Sequence, residues 1–88
     1  MSDFRIEVRV TPRRGILDPQ GKAVGGALAS LGFGEVHDAR VGRLITFGLE
    51  APSESEAREQ ATAMCRQLLA NPVTEDYDVR VAAAESGR

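Results

Sequence analysis

The residue types that most often do chemistry are thinly spread along this 88-residue chain. It has one histidine, His37, and one cysteine, Cys65, and neither has a second histidine or cysteine at metal-ligand spacing. Cys65 falls on the apolar stripe of a predicted helix, where a small buried thiol is expected to be inert. His37 is interpreted as a structural residue. The sequence therefore offers no histidine or cysteine set for metal binding or nucleophilic catalysis.

Acidic residues cluster at two places, the start of the second predicted helix and the start of the last predicted strand: Glu54, Glu56 and Glu59, then Glu75, Asp76 and Asp78. At a helix start, negative charge complements the helix dipole. Beside a strand, such a cluster could bind a cation, but it more often marks a solvated turn and an edge protected from aggregation. We favour the protective role for the second cluster.

The most unusual stretch runs from Gly15 to Gly26 and contains four glycines. It lacks both common phosphate-binding glycine motifs, and the charge of Asp18 would oppose a phosphate at this helix start. Asp18 and Pro19 suit the first positions of a helix. Gly21 does not, because glycine inside a helix costs up to about 1 kcal/mol relative to alanine. We therefore predict that the backbone at Gly21 is approached closely or bent, as a docking surface would require.

The composition and charge of the chain exclude several classes of function. Eleven basic against thirteen acidic residues give no basic footprint for nucleic acid. No apolar run approaches the ~20 residues that span a membrane, and the first residues do not look like a signal peptide. We expect a cytoplasmic protein with no nucleic-acid or membrane partner. A chain of this length buries only about 60–65% of its unfolded surface, which favours association with other chains.

Hydrophobic periodicity predicts six elements. Alternating apolar residues indicate strands at 4–10, 45–49 and 77–81. Helical stripes cover 19–31, with a left-handed cap at Gly32, and 53–70, with a capping box at Ser53 and an apolar stripe that continues to Leu68. A further strand, 36–41, is predicted to pair with 45–49 through a Gly42-Arg43 turn. The order β-α-β-β-α-β predicts an α/β (α+β), ferredoxin-like fold with a four-stranded antiparallel sheet and two helices on one face. Residues 1–82 would form a single domain and residues 83–88 a fraying tail.

Three blocks of this sequence carry a resemblance to a known family: Gly15-Ile16-Leu17-Asp18-Pro19-Gln20-Gly21-Lys22-Ala23, the segment from Val36 through Asp38-Ala39-Arg40-Val41-Gly42-Arg43, and Leu68-Leu69-Ala70-Asn71-Pro72-Val73-Thr74-Glu75-Asp76-Tyr77. In this order and across nearly the whole chain, they resemble the PurS small-subunit family of phosphoribosylformylglycinamidine synthase. Gly25-Gly26 and Phe33-Gly34 depart from what that family leads us to expect, but lie outside the three blocks.

The resemblance implies a role in purine biosynthesis. The complex would convert formylglycinamide ribonucleotide, glutamine and ATP into formylglycinamidine ribonucleotide, glutamate, ADP and phosphate. A glutaminase subunit would release ammonia, and a large synthetase subunit would use ATP and Mg²⁺. This chain would bind no cofactor or metal and carry no catalytic residue. It would form a homodimer or homotetramer that bridges the two larger subunits and assists ammonia transfer.

Six residues in the three blocks are candidates for surfaces that face these partners: Asp18, Gln20, Lys22, Arg40, Arg43 and Asn71. Local roles compete with this interpretation. Asp18 also fits a helix cap, Arg43 a turn residue and Asn71 a helix stop. The sequence leaves both interpretations open for these three residues.

Two other functions remain as alternatives. The first is a free-standing ferredoxin-like regulatory module, in which glycines at the strand-helix junction bind a small effector. The second is an acylphosphatase-like hydrolase, although that family's Gly-x-Val-Gln-Gly-Val-x-x-Arg pattern is absent here.

Overall fold

The computed structural model describes residues 1–84 and contains one three-stranded sheet and two α-helices. The strands are β1 (Ser2–Pro12), β2 (Arg43–Ala51) and β3 (Glu75–Ala83), and the helices are α1 (Pro19–Ser30) and α2 (Glu54–Met64). A π-helical turn, Cys65–Leu69, continues α2. The sheet is antiparallel in the order β2-β1-β3. The α+β class is confirmed, whereas the predicted fourth strand is not formed within residues 1–84.

Alternation along the strands places the apolar side chains on one face, as predicted. In β1, Phe4, Ile6, Val8 and Val10 are buried. The register puts Val8 opposite Ile45 of β2 and Val79 of β3, so the apolar positions of all three strands point the same way. The other face carries polar and charged residues such as those that alternate with the core positions of β1.

Helix α2 covers the apolar face and closes the core. Ser53 caps it as predicted, since its hydroxyl oxygen accepts the Glu56 amide at 3.2 Å. Ala57, Ala61 and Cys65 are completely buried between the helix and the sheet. Their small side chains allow the helix to lie close to the strands.

The apolar stripe predicted for this helix is wrong at Leu68, which is 82% exposed. The Ala70 amide donates to the Cys65 carbonyl at 3.1 Å, a bond that spans five residues instead of four. Such a wide turn changes the angular spacing of side chains along the helix. Leu68 therefore leaves the stripe that Ala57, Ala61 and Cys65 follow.

Helix α1 does not pack on the sheet, which contradicts the prediction of two helices on one face. We call residues 19–38 the arm. The radius of gyration is 16.7 Å, whereas a compact domain of this length has about 12 Å. Only Gly21 is buried among the twelve residues of α1. The arm therefore exposes most of its large apolar residues: Val24, Leu31, Phe33 and Val36.

The cap at the end of α1 forms as predicted. The Phe33 amide donates to the Leu28 carbonyl at 3.0 Å, and the Gly32 amide to the Ala29 carbonyl at 3.1 Å. Gly32 has a φ of +102°, which is why glycine suits this position.

Residues 36–41 were predicted as a strand, and the structure shows that this prediction is wrong. Asp38 adopts a left-handed φ of +58°, which breaks an extended path. Gly42 is not in a hairpin turn either. A Cβ on Gly42 would collide with the Val10 carbonyl oxygen, so glycine lets this segment lie against β1.

The last strand extends one residue past the expected domain boundary. β3 ends at Ala83, and the Ala84 amide donates to the Asp3 carbonyl at 3.0 Å. The rest of the expected fraying tail, residues 85–88, lies outside the described residues.

The close approach predicted at Gly21 is present, and it is intramolecular. A Cβ there would collide with the Ala39 carbonyl oxygen and the Asp18 carboxylate, and would lie 2.9 Å from the Arg40 Cα. The segment that follows the arm therefore crosses directly over the first turn of α1. Gly21 is needed for this crossing, although glycine weakens the helix itself.

We expect Gly21→Ala to destabilise the protein by about 1–3 kcal/mol, because overpacking outweighs the gain in helix propensity. Gly26→Ala is the matched control in the same helix, since nothing lies within 4 Å of its added Cβ. That control should stabilise the protein by up to about 1 kcal/mol. Chemical denaturation measures both values, and equal stability of the two variants would contradict the crossing.

Candidate functional site

The six residues predicted to face partners all lie in segments that meet near the end of β1. Asp18, Gln20 and Lys22 begin α1, and Arg40 precedes β2. The structure joins Asp18 to the segment that contains Arg40, and it joins Arg43 to Asn71 through Glu75. Within residues 1–84, the side chains of Gln20 and Lys22 make no hydrogen bond or ion pair.

Asp18 binds two backbone amides that lie far apart in sequence. Its Oδ1 accepts the Gly21 amide at 3.0 Å, which confirms the predicted helix cap. Its Oδ2 accepts the Val41 amide, also at 3.0 Å and 23 residues away. We call Asp18 with these two amides the Asp18 latch. No local sequence pattern predicts the hydrogen bond from Val41 to Asp18.

The electrostatics of the latch favour the ionised carboxylate. The hydrogen bond from the Gly21 amide lowers the pKa of Asp18 most, followed by the bond from Val41, and the positive charge of Arg40 also lowers it. The Arg40 guanidinium itself donates to the Pro12 carbonyl. We call the two connections between the arm and the sheet, residues 13–18 and 39–42, the roots of the arm. Arg40 therefore ties the second root to the end of β1.

Arg43 joins the beginnings of the two outer strands. Its guanidinium holds both carboxylate oxygens of Glu75, at 2.9 and 3.0 Å, and donates to the Leu69 carbonyl at 2.6 Å. Glu75 also accepts the Asn71 amide at 2.8 Å. These four residues form the Arg43–Glu75 network, which ties β2 to β3 across β1. The Arg43 hydrogen bond is the main reason why the pKa of Glu75 is lowered, and that of Arg43 is raised in turn.

The part that Glu75 takes in this network was not predicted, because the acidic residues beside β3 fit the role of a solvated, protective edge equally well. Its bidentate partner is 32 residues away. The one signal that pointed to it was the position of an acidic residue just after a predicted helix stop. No periodicity or spacing rule connects that position to Arg43.

Asn71 ends the helical segment and shapes the loop before β3. Its side-chain oxygen accepts the Val73 amide at 3.0 Å, and its carbonyl accepts the Glu75 amide at 2.8 Å. Arg13 donates to the Pro72 carbonyl at 2.7 Å from outside the loop. The predicted role of Asn71 as a helix stop is therefore confirmed, and the loop is held from several sides.

The groups with catalytic potential are poorly placed for chemistry. Burial raises the pKa of the Cys65 thiol, which disfavours the reactive thiolate. His37 is exposed, with Nδ1 3.2 Å from the Glu35 carbonyl oxygen. Within residues 1–84, no three His, Cys, Asp or Glu side chains are grouped to hold a metal ion. No helix in this part of the chain is long and apolar enough to cross a membrane.

Acidification should weaken the fold through the Arg43–Glu75 network. Since the folded-state pKa of Glu75 lies below its unfolded value, its contribution is complete above the ordinary pKa of a glutamate and is lost as the pH falls through the lowered folded-state pKa. We expect Glu75→Gln to lower the melting temperature at pH 7 by several degrees and to flatten its decline below about pH 5. Thermal melts from pH 7 to pH 2 measure this.

Glu50→Gln provides the control, because Glu50 is exposed and makes no side-chain hydrogen bond or ion pair within residues 1–84. It should melt like the parent protein throughout. A Glu75→Gln variant that kept the parent pH profile would show that the network adds no pH-dependent stability.

Comparison with known proteins identifies the family. Residues 5–83 match the PurS family model, described as phosphoribosylformylglycinamidine (FGAM) synthase. The chain is 43% identical over 82 residues to phosphoribosylformylglycinamidine synthase subunit PurS of Synechocystis, covering 93% of this chain and 82% of the relative. It is 38% identical over 78 residues to subunit PurS of Bacillus subtilis, covering 89% and 92%.

Solved structures agree with this assignment. PurS of Thermus thermophilus superposes with a TM-score of 0.83 at 38% identity, covering 94% of this chain and 99% of that one. A chain in the structure of PurLQS from Thermotoga maritima gives a TM-score of 0.84 at 32% identity, covering 93% and 100%. The family match and these relatives extend over nearly the whole length, and the chain therefore belongs to the PurS family.

Proposed function

We propose that this chain is the small subunit of phosphoribosylformylglycinamidine synthase and that it acts through assembly. The observation that carries the proposal is membership of the PurS family over residues 5–83. The likeness to a chain of the Thermotoga maritima PurLQS structure supports a place in a complex with two larger subunits. The complex converts formylglycinamide ribonucleotide, glutamine and ATP into formylglycinamidine ribonucleotide, glutamate, ADP and phosphate. We place it in the cytoplasm.

The proposed division of labour is the one that the resemblance to the PurS family implies. We assign ammonia release to the glutaminase subunit and the use of ATP and Mg²⁺ to the synthetase subunit. The buried, neutral Cys65 and the exposed His37 lend no support to catalysis by this chain. Its part is to bridge the two subunits and so to keep the source of ammonia close to the site that consumes it.

The six candidate residues divide into two groups in this proposal. Asp18, Arg40, Arg43 and Asn71 have internal partners, and we propose that they shape the surface. Gln20 and Lys22 are exposed on the first turn of α1. We propose that these two touch a larger subunit.

The hydrolase alternative meets a specific obstacle. An acylphosphatase-like site needs free amides at the strand-helix junction to hold phosphate. Here the Asp18 carboxylate takes the Gly21 amide and adds a negative charge at the same place. A phosphate would meet repulsion there.

Self-association is the second part of the proposal. Leu31 is 73% exposed and Phe33 58%, which leaves the apolar side of the arm in water at a cost in hydrophobic free energy. On the sheet, Ile45, Phe47 and Leu49 of β2 are only half-buried. We propose that the arm of a second copy packs on this part of the sheet and supplies the second helix that the single chain lacks there.

Reversal of the charge of Lys22 tests the contact with the larger subunits. In the presence of glutamine and Mg-ADP, Lys22→Glu should bind the glutaminase and synthetase subunits about tenfold more weakly, because a rim charge facing a complementary surface is inverted. Biolayer interferometry measures the affinity, and thermal melting checks that the fold is intact.

Arg5→Glu is the matched control, since it makes the same reversal on the open face of the sheet. It should bind like the parent. Parent-like binding by Lys22→Glu would remove Lys22 from the interface. Failure of the parent chain itself to bind would overturn the proposed function.

Removal of an apolar side chain from the arm tests self-association. Phe33→Ser should weaken it about tenfold to a hundredfold, in line with the loss of one buried aromatic side chain. Sedimentation equilibrium measures the constant. Leu44→Ser is the control, because Leu44 is 59% exposed but lies on the open face of β2. A strictly monomeric parent would contradict the proposal.

A further inference from the structure

The direction of the arm has to be set at its root. Helix α1 buries only Gly21, so packing against the sheet cannot orient it. The arm joins the rest of the molecule through residues 13–18 at one end and 39–42 at the other. Whatever holds these two connections together determines where the apolar side of the arm points.

A continuous series of contacts runs from β1 to the helix. Gly42 lies against Val10 and Thr11, where a Cβ would not fit. Its neighbour Val41 donates its amide to Asp18, and the other oxygen of Asp18 accepts the Gly21 amide inside α1. Within this series, the latch is the contact in which one side chain, that of Asp18, connects the two roots of the arm.

The chemistry requires a group with two acceptor oxygens. An ionised carboxylate accepts a bond at each oxygen, whereas an asparagine has one acceptor oxygen and a serine one hydroxyl. Bonds to a charged acceptor are about twice as strong as bonds between neutral groups. Asparagine and serine nevertheless remain good helix caps. Capping alone therefore does not account for a carboxylate placed between Gly21 and Val41.

We propose that Asp18 is a positioning residue for assembly: the latch holds the arm in one direction, so that its apolar side meets a second copy already oriented. This proposal rests on the proposed self-association through the arm. A swinging arm would lose conformational freedom on association, and that cost would weaken binding. Because the latch already restricts the arm in the folded chain, less conformational freedom is lost on association.

The test separates the latch from the cap. Asp18→Asn and Asp18→Ser each keep a capping oxygen for Gly21 and lose one of the two bonds. Spin labels at Ser30→Cys on the arm and Thr46→Cys on the sheet report the direction of the arm, and both sites are exposed. The native Cys65 is completely buried and stays in place. Electron-electron resonance is recorded with excess unlabelled protein, so that each distance lies within one chain.

We expect a narrow distance distribution for the parent and a broad or shifted one for both variants, with self-association weakened about tenfold, the equivalent of one charge-assisted hydrogen bond. Glu35→Gln is the matched control, because it removes an exposed arm carboxylate whose side chain makes no hydrogen bond or ion pair within residues 1–84. It should match the parent in both measurements. Far-ultraviolet circular dichroism verifies that the sheet and α2 remain folded.

Three outcomes are distinguishable. A parent-like distance distribution in Asp18→Asn and Asp18→Ser would overturn the latch as the device that orients the arm. A broadened distribution with parent-like self-association would overturn its role in assembly. A parent chain that does not self-associate would overturn the proposed self-association instead, while the distances would still report on the latch.

Discussion

Burial of one face of β1 is the interaction on which the rest of the molecule depends. The strand lies between β2 and β3 and supplies four of the nine apolar residues that are buried within residues 1–84. Because it pairs along most of its length with both neighbours, loss of its apolar face would remove the register of the whole sheet. Its end at Pro12 also receives the Arg40 guanidinium. Strand β1 therefore holds the second root of the arm in place as well as the two outer strands.

The small core also explains why the chain is suited to assembly. Helix α2 and the π-helical turn after it close the core with alanines and one cysteine, which bring the helix near the sheet and add little apolar area. Helix α1 contributes almost nothing to it and instead extends the molecule to 51 Å along its longest axis. A single chain therefore leaves much of its apolar surface unsatisfied, and apolar surface left exposed in this way is typical of proteins that bind other chains.

Charged side chains at this end of the sheet shape the surface through hydrogen bonds to backbone groups. Asp18 joins the two roots of the arm, and Arg43 with Glu75 joins the outer strands to the loop after α2. An isolated surface ion pair adds little stability, but the bidentate contact between Arg43 and Glu75 belongs to a network that contributes more. These bonds also have a geometric effect, because each connects segments that are distant in sequence. In the proposed bridging role, this geometry would matter more than a reactive group.

Sequence alone determined the features that depend on neighbours a few residues apart. The alternation in β1, the caps at Asp18, Ser53 and Gly32, and the stop at Asn71 all follow from local periodicity and capping, and the three sequence blocks pointed to the PurS family. Tertiary structure alone decided the bonds from Asp18 to Val41 and from Arg43 to Glu75, which span 23 and 32 residues. It also decided that residues 36–41 turn toward α1, since a segment that alternates poorly takes its conformation from what it contacts. Local patterns predict only the bonds that a residue makes within its own element, because those partners are close in sequence. A bond between distant segments forms only after the chain has folded.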